Sequence, residues 1–404
     1  MVFMKYELLS HLFYKNKEEY EKKYNQRIQS EETVFLGIDI NGYEAFVVLC
    51  PDIILKMEKM YYLVMKLGDT LNILPLIAQK NYINNCLMDE IMLTNDIEGI
   101  HSTRQEVAEA IEKKEDKKVR FSGLAKKYVM ILNHEEIPLN SCADIRDLYD
   151  QIVLNEVDEK DQPDGKIFRK GSVSICTATE KQKHKGVYPE TQIIICMEQA
   201  LSMLKNQDIP ALIKTAVFHY VFGYIHPFYD GNGRMVRFIS SYQLTKQLGD
   251  VMGISLSRSF KNNKSKYYKA FDICNNPKNK GDLTPFVLTF LDILVDTVKS
   301  SGAIIQEKKE KLDFYLTILG SNLEKLGIKE KESHQILLSI LIQNALFSSK
   351  GITMDELTDH LMKSKASIKN ILKFFNDKSS VEIFVEKMGR RNCYRINLES
   401  LEKL

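Results

Sequence analysis

The 404-residue sequence lacks the features that mark several classes of protein. Its seven cysteines form no C-x-x-C pair, which argues against a disulfide framework or a zinc knuckle, and we expect buried thiols in a reducing cytoplasm. No stretch is apolar for long enough to span a bilayer, and we expect neither a signal peptide nor a membrane partner. The formal net charge is only +2, so no whole-chain field favours nucleic acid. We therefore expect a folded cytoplasmic protein.

The length suggests two to three domains, without an internal repeat or a low-complexity tract. β-forming residues on both sides of Asn41-Gly42 predict a hairpin from Thr33 to Cys50. After Pro51 the apolar spacing becomes helical, so the fold class is mainly α. Further helices are predicted at residues 77–98, 103–115, 119–136, 141–156, 190–205 and 210–225.

Two interruptions of the helical pattern divide the chain. Two short β-branched runs with a polar tip, from Gly171 to Tyr188, predict a hairpin or flap. A helix rich in Lys and Glu at 303–318 is followed by a polar stretch at 327–332, the best candidate for a domain boundary. The predicted regions are an N-terminal hairpin and helical region (1–80), a helical body (81–300), a helical linker (301–330) and a C-terminal module (331–404).

Residues 226–237 read H-P-F-Y-D-G-N-G-R-M-V-R and lie between two apolar helices. Pro227 ends the first helix, and Gly231 and Gly233 flank Asn232 in a turn that needs unusual backbone angles. The turn leaves backbone N–H groups uncovered at the start of the second helix. Together with the helix dipole, these groups favour an anion.

The charged residues of this segment suggest which anion would bind. Positive side chains at a helix N-terminus are locally unfavourable. A bound polyphosphate would compensate the charges of Arg234 and Arg237 and would explain their presence there. Asp230 is the single carboxylate in the loop and could hold Mg²⁺ together with phosphate oxygens. His226 is a candidate base near neutral pH. Phe228 fits a core anchor that fixes the loop.

The run from His226 to Arg237 resembles the signature of Fic-domain proteins, H-P-F-x-[D/E]-G-N-G-R-x-x-R, at every fixed position. The resemblance implies a Fic-type helical catalytic domain over 81–300 that transfers AMP from ATP to a protein hydroxyl and releases pyrophosphate. By the same resemblance the roles are a general base (His226), a Mg²⁺ ligand (Asp230), an anion cradle (Gly231, Asn232, Gly233), a cation on the transferred and leaving phosphates (Arg234) and a cation on the γ-phosphate (Arg237).

Two further stretches extend the resemblance over about residues 80 to 295. The segment S-K-Y-Y-K-A-F-D-I-C-N resembles the adenine side of the family, which would place Tyr267, Tyr268 and Asn275 near the base and ribose. Taken alone, two adjacent tyrosines on a helix also fit one core and one surface position.

The second stretch matches the strand of the family's flap, which is thought to clamp a target segment by strand addition. A simple hairpin is the alternative. The matching residues are Val173, Ser174, Ile175 and Cys176.

A third motif, T-x-x-x-E-G from Thr94 to Gly99, lies at the end of a predicted helix with Gly99 as its C-terminal cap. The helix dipole disfavours Glu98 at this position unless a cation is close. The motif resembles the inhibitory sequence [S/T]-x-x-x-E-[G/N] of Fic proteins with an N-terminal inhibitory helix. That resemblance implies that Glu98 pairs with Arg237 and withdraws it from the γ-phosphate.

The C-terminal module resembles a winged helix. Helices are predicted at 336–347, 354–362 and 367–375, followed by strands at 381–386 and 393–397 that residues 387–392 join. Residues 361–395 contain nine basic and three acidic residues, a local excess of +6. The pattern fits DNA binding, and it equally fits a protein docking module.

Three functions remain open on these residues. The leading hypothesis is a protein adenylyltransferase that uses ATP and Mg²⁺, modifies a target protein or itself, and is restrained by Glu98. One alternative is a hydrolase that removes AMP, or a transferase of another phosphate-containing group, on the same site. The other is a nucleotide-sensing DNA-binding regulator, although such sensing needs no base and His226 is intact. The resemblance is also compatible with a homodimer.

Overall fold

In a computed structural model of the protein, 68% of the residues are helical, which confirms the predicted mainly α class. The structure describes residues 6–176, 182–322, 331–379, 381–388 and 391–403. Within these ranges the strands form three small antiparallel sheets. The chain divides into two compact units: Met1–Val64 with Leu87–Val298, and Met65–Cys86 with Lys299–Leu404.

Two helices that the sequence analysis did not predict precede the hairpin. They are α1 (Leu9–Lys15) and α2 (Lys17–Ile28), and Asn16 caps α2 by accepting from the backbone N–H groups of its first turn. Leu9, Leu12 and Tyr20 form a small buried cluster between them. Most residues of α2 are charged or polar, so its apolar periodicity is too sparse to indicate a helix.

The predicted hairpin is present as β1 (Thr33–Ile40) and β2 (Tyr43–Val48). Asn41 and Gly42 join the strands with φ of 55° and 80°, the left-handed pair that a tight hairpin turn requires. The backbone N–H of Phe46 donates to Gly281, and that of Leu283 donates to Phe46. The hairpin is thus tied to the segment that precedes the longest helix of the described chain.

The helices of the body begin and end within about four residues of the predicted bounds where both exist. A short 3-10 turn, Leu154–Glu156, continues the chain beyond α7. The flap strands are β3 (Ser174–Cys176) and β4 (Gln182–Lys185), and residues 177–181 of the predicted flap lie outside the described residues. The helices are α3 (Pro51–Ile73), α4 (Leu76–Ile97), α5 (Arg104–Glu112), α6 (Ser122–Leu132), α7 (Cys142–Ile152), α8 (Glu190–Lys205), α9 (Ala211–Ile225), α10 (Asn232–Leu248), α11 (Asp250–Gly253), α12 (Leu256–Asn262), α13 (Lys264–Asn275) and α14 (Thr284–Asn322).

Helices α9 and α10 lie in the core of the first unit. Eleven of the fifteen residues of α9 are buried, because its sequence A-L-I-K-T-A-V-F-H-Y-V-F-G-Y-I is apolar on nearly every face. Most of α10 is buried as well, including both of its arginines. The loop between these two helices is therefore held on a rigid base.

The second unit contains the C-terminal module. The predicted order of elements is present with two additions, the short strand β5 and the short C-terminal helix α18. Strand β5 pairs with β7, so the sheet order is β5-β7-β6. Part of the predicted linker and boundary, residues 323–330, lies outside the described residues. The elements are α15 (Lys331–Phe347), β5 (Ile352–Thr353), α16 (Met354–Leu361), α17 (Lys365–Lys378), β6 (Ile383–Met388), β7 (Arg391–Ile396) and α18 (Leu398–Leu401).

Across the described part of the chain, no helix combines the length and the apolar character needed to cross a membrane.

Candidate active site

The loop between α9 and α10 has a shape fixed by its own residues. His226 ends α9 in the left-handed conformation (φ 53°), and its N–H donates to the carbonyl of Phe222 at 2.9 Å. Asn232 closes the loop: its Oδ1 accepts from Phe228 N at 3.0 Å, and its Nδ2 donates to Phe228 O at 2.8 Å. The Phe228 ring is buried and stacks on Tyr149 at 3.8 Å between centroids. Phe228 is thus the anchor that its position in the sequence suggested.

Two glycines of the loop lie where a side chain has no room. Gly231 has φ +78°, and a Cβ there would lie 2.4 Å from Val153 Cγ1. A Cβ on Gly233 would lie 2.1 Å from Glu98 Oε1. The Glu98 carboxylate therefore rests directly against the first turn of α10, where uncovered N–H groups and the helix dipole favour an anion.

Arg237 is enclosed by acceptors from the end of α4. Its Nε donates to Thr94 Oγ1 at 2.8 Å, and its Nη2 donates to Thr94 O at 2.9 Å and lies 2.8 Å from Glu98 Oε1. Burial by itself lowers the pKa of Arg237, but the Glu98 carboxylate together with Tyr267 and Tyr128 more than offsets this, and the pKa is raised. The guanidinium is thus charged, and its Nε and Nη2 are occupied by the end of α4.

A carboxylate that the sequence analysis missed anchors α4 at this place. Glu90 is buried and accepts from Ser257 N (2.8 Å), Ser257 Oγ (2.6 Å) and Tyr128 Oη (3.1 Å). Burial raises the pKa of Glu90. Because Glu90, Thr94 and Glu98 are spaced by four residues, they share one face of α4. That spacing was the available signal.

Arg234 is held by different carboxylates. Its Nη1 lies 2.9 Å from Glu156 Oε2 and its Nη2 lies 3.4 Å from Asp230 Oδ2, while Nε is buried without a hydrogen-bond partner. Burial raises the pKa of Glu156 to about 7, against the lowering effect of Arg234. The sequence analysis missed Glu156, which lies in the 3-10 turn Leu154–Glu156, and no local pattern marks it.

The His226 imidazole is in an environment that favours its neutral form. Burial and the neighbouring Arg169 guanidinium lower its pKa to about 4, and the Glu98 carboxylate acts in the opposite direction. A neutral imidazole can accept a proton, as a general base must. Arg169 itself was not among the predicted site residues.

Asp230 fits a magnesium ligand as part of a larger set. Its side chain is 46% exposed, and Oδ1 accepts from Gly231 N at 2.6 Å. Among the described residues, at Asp230 as elsewhere, no group of three or more His, Cys, Asp or Glu side chains could hold a metal ion. A Mg²⁺ ion at Asp230 would thus draw most of its ligands from phosphate oxygens and water, which is the coordination that Mg²⁺ commonly has.

The residues predicted on the adenine side lie in different surroundings. Tyr267 is buried, and its hydroxyl bonds to His219 Nε2 at 2.7 Å. Tyr268 is 40% exposed, and the charges of Glu98 and Arg237 act on its pKa, which burial raises. Asn275 accepts from Tyr220 Oη at 2.7 Å. The tyrosine pair is thus divided between core and surface, and only Tyr268 presents a ring to solvent.

The described part of the flap is attached to α9. Val173 accepts from Gly186 N at 3.1 Å, and Ser174 pairs with Lys185. His184 Nε2 lies 2.8 Å from the carbonyl of Tyr224, next to the end of α9. The side chains of Ile175 and Cys176 lie outside the described part of the structure.

Comparison with known proteins places this loop in a recognised domain. Residues 139–244 match the sequence model of the Fic/DOC family, a segment that contains the loop and the flap. A Fic family protein from Desulfovibrio desulfuricans G20 has a similar structure (19% identity, TM-score 0.50, covering 86% of this chain and 96% of that chain).

Two further solved structures match a smaller share of this chain. They are a Fic domain containing signaling protein from Bacteroides thetaiotaomicron VPI-5482 (18% identity, TM-score 0.44, 61% of this chain, 95% of that chain) and residues 134–508 of Fic-1 from C. elegans (19%, 0.42, 62% and 73%). The family match assigns a Fic domain to the part of the chain that contains residues 139–244. Proteins with this domain commonly transfer a nucleotide monophosphate to proteins.

Proposed function

We propose that the protein transfers AMP from ATP to a hydroxyl group of a target protein or of itself, and that Glu98 restrains this activity. The observation that carries the proposal is the position of the Glu98 carboxylate against Gly233 and 2.8 Å from Arg237. An anion that belongs to the protein thus occupies the place that the helix N-terminus and the arginine offer to a phosphate.

The proposed reaction uses groups that are already oriented. The neutral His226 imidazole takes the proton of the attacking hydroxyl, whose oxygen forms a bond to the α-phosphorus. The bond from the α-phosphorus to the bridging oxygen breaks, and pyrophosphate leaves with its electron pair. Arg234 and the backbone N–H groups at the start of α10 stabilise the negative charge on the phosphates. Mg²⁺ bound at Asp230 would supply further positive charge there.

The restraint follows from the contacts of Arg237. Thr94 and Glu98 occupy three donor positions of its guanidinium, which is then not free to bind a γ-phosphate. A charge-assisted hydrogen bond is worth about 1.5–3 kcal/mol, so freeing this contact should raise transfer about 10- to 100-fold.

The test compares wild type, Glu98→Gly and the double variant Glu98→Gly/His226→Ala, each incubated with ATP and Mg²⁺ and measured by intact-mass spectrometry. We expect a gain of one AMP unit in Glu98→Gly, little in wild type, and none in the double variant. Labelled ATP with host lysate extends the assay to other target proteins. Equal labelling of wild type and Glu98→Gly would contradict the restraint.

Two other results would contradict the transfer reaction. Labelling that persists in the double variant would contradict the role of His226 as the general base. An absence of AMP adducts on every form of the protein and on every lysate protein would contradict the transfer reaction. Release of AMP from a modified protein would then favour the hydrolytic reaction.

For the second unit we propose a winged-helix module that binds DNA. The order of α15, β5, α16, α17, β6 and β7 and the sheet order β5-β7-β6 support the fold. Lys365, Lys369 and Lys373 are exposed along α17, spaced by four residues, so they lie on one face. Lys365 pairs with Asp355. A basic helix face of this kind fits phosphates that flank a groove.

The test is a titration of fluorescent duplex DNA with wild type and with Lys369→Glu/Lys373→Glu at several salt concentrations. We expect weaker binding and a salt slope reduced by about two in the variant. The matched control Lys117→Glu/Lys118→Glu makes the same charge change at exposed residues of the first unit. An equal loss in variant and control, or no DNA binding at low salt, would contradict a DNA-binding role for α17.

A further inference from the structure

Arg169, at 0% exposure, is with Arg234 one of the two largest fully buried side chains of the described residues. Its guanidinium donates only to backbone carbonyls: Nε to His226 (2.8 Å), Nη1 to Gly171, and Nη2 to Val187 (2.8 Å) and Ile225 (3.3 Å). Its backbone N–H donates to Pro227 at 3.2 Å. Among the described residues, no carboxylate lies within ion-pair distance of this guanidinium.

A buried cation without a counter-ion is costly, because removal from water is compensated only by hydrogen bonds. Here the compensation comes from the carbonyls at the end of α9, where the negative end of the helix dipole favours a cation. Burial nevertheless lowers the pKa of Arg169. An apolar side chain would suffice if this position served only to pack the core. The arginine is therefore explained by the hydrogen bonds that its guanidinium makes.

These contacts join three separate pieces of chain. Gly171 begins the flap, Val187 ends it, and Ile225 and His226 form the end of α9. Gly186 leaves the necessary space, since a Cβ there would lie 2.6 Å from Arg169 Nη2. One rigid guanidinium thus fixes both ends of the flap against the left-handed residue that carries the proposed base.

We infer that Arg169 is a positioning residue that holds the His226 backbone and the two ends of the flap as one unit. The inference rests on the proposed transfer reaction, in which the flap faces the target and His226 takes the proton of its hydroxyl. Arg169 makes its contacts with the backbone carbonyls of His226 and of the flap ends, so it acts through the backbone rather than on the reacting groups.

The charge of Arg169 has a second effect on His226. The charged or titratable groups that act on the imidazole are Arg169, Glu98 and His184; Arg169 and His184 lower its pKa, and Glu98 raises it. Loss of the Arg169 charge should therefore raise the pKa of His226. A lysine at 169 keeps the charge but makes fewer of the carbonyl contacts, so the two effects can be separated.

The test uses Arg169→Lys and Arg169→Met in the Glu98→Gly background. The matched control is Arg146→Lys, because Arg146 donates to a carbonyl of the same loop (Ile167, 3.0 Å) and pairs with Asp150, without contact to His226. The readouts are kcat, KM for ATP, the melting temperature, and an NMR titration of the His226 ring, assigned with His226→Ala.

For Arg169→Lys we expect kcat to fall on the order of tenfold or more with KM for ATP within about twofold, because the reacting groups are displaced while the ATP cradle is not touched. In Arg169→Met we expect the His226 pKa to rise, and in Arg146→Lys we expect none of these changes. If Arg169→Met does not fold, the kinetics of Arg169→Lys decide the role of Arg169.

Two outcomes would overturn the inference. One is a fall in kcat that Arg146→Lys shares and that only follows the melting temperature. The other is an unchanged kcat in Arg169→Lys. Absence of transfer by the Glu98→Gly parent would instead count against the proposed function, and the His226 titration, which needs no turnover, would still report on Arg169.

Discussion

The two arginines in the first turns of α10 are each paired with a carboxylate from another part of the chain, Arg237 with Glu98 and Arg234 with Glu156. Glu98 comes from the end of α4, is 24% exposed, and lies against the glycine turn where an anion would bind. Glu156 is 11% exposed and comes from the 3-10 turn Leu154–Glu156, directly after Val153, whose side chain lies next to Gly231. The first carboxylate lies against the first turn of α10, whereas the second reaches Arg234 from the 3-10 turn that follows α7.

This difference assigns opposite effects to two similar ion pairs. A carboxylate in the path of the phosphates competes with them, and its removal frees an arginine. A carboxylate that does not compete with the phosphates orients the long arginine side chain before the nucleotide binds, and its removal leaves a buried cation unpaired. The ion-pair distances do not distinguish the two pairs, but the position of the Glu98 carboxylate against Gly233 does.

The largest expected effect is a pair of opposite changes. Glu98→Gln should raise transfer and Glu156→Gln should lower kcat/KM, each about tenfold or more, because each removes a charge-assisted contact of an arginine. The measurement is steady-state transfer with ATP, with Glu156→Gln made in the Glu98→Gly background. Higher activity in Glu156→Gln would show that Glu156 also restrains the enzyme, and it would contradict the opposite effects assigned to the two ion pairs.

A smaller increase is expected from Thr94→Val. This change removes the hydrogen bond from Arg237 Nε to Thr94 Oγ1 (2.8 Å) and keeps the bond to the Thr94 carbonyl. A single hydrogen bond is worth about 0.5–1.5 kcal/mol, so transfer should rise about two- to tenfold. Thr94→Ser, which keeps the hydroxyl, is the control and should resemble wild type. A decrease in Thr94→Val would mean that α4 supports Arg237 more than it restrains it.

The pH dependence of folding stability tests the ion pair of Glu156 and Arg234. Burial raises the pKa of Glu156 to about 7, above its unfolded value, so its contribution to folding is complete at low pH and is lost as the pH rises through about 7. Relative to wild type, Glu156→Gln should therefore gain stability from pH 5 to pH 8, by at most about 1.4 kcal/mol per pH unit. Urea unfolding at intermediate pH values measures the difference, and a constant difference would contradict it.

The sequence could predict what is local in the chain. The hairpin at Asn41-Gly42 and the helix ends follow from turn chemistry and periodicity, and the residues of the loop are contiguous. Glu156 and Arg169 are brought to the loop only by packing, which leaves no trace in a local pattern. The tyrosine pair shows the same limit: the spacing cannot tell that Tyr267 turns inward to His219 while Tyr268 stays at the surface.

The smallest expected effect concerns the end of α4, which determines where Glu98 lies. Gly99 ends the helix with φ +77°, and no atom lies within 4 Å of an added Cβ. Gly99→Ala therefore meets only backbone strain, which costs about 1 kcal/mol of folding stability. If that strain shifts the last turn of α4, the contact between Glu98 and Arg237 weakens and transfer should rise slightly, by no more than about fivefold. The matched control is Gly68→Ala, since Gly68 lies inside α3 with no atom near its Cβ position and without positive φ. A stability loss without any rise in transfer would show that Glu98 is held by the Glu90 and Thr94 face of α4 rather than by the helix end.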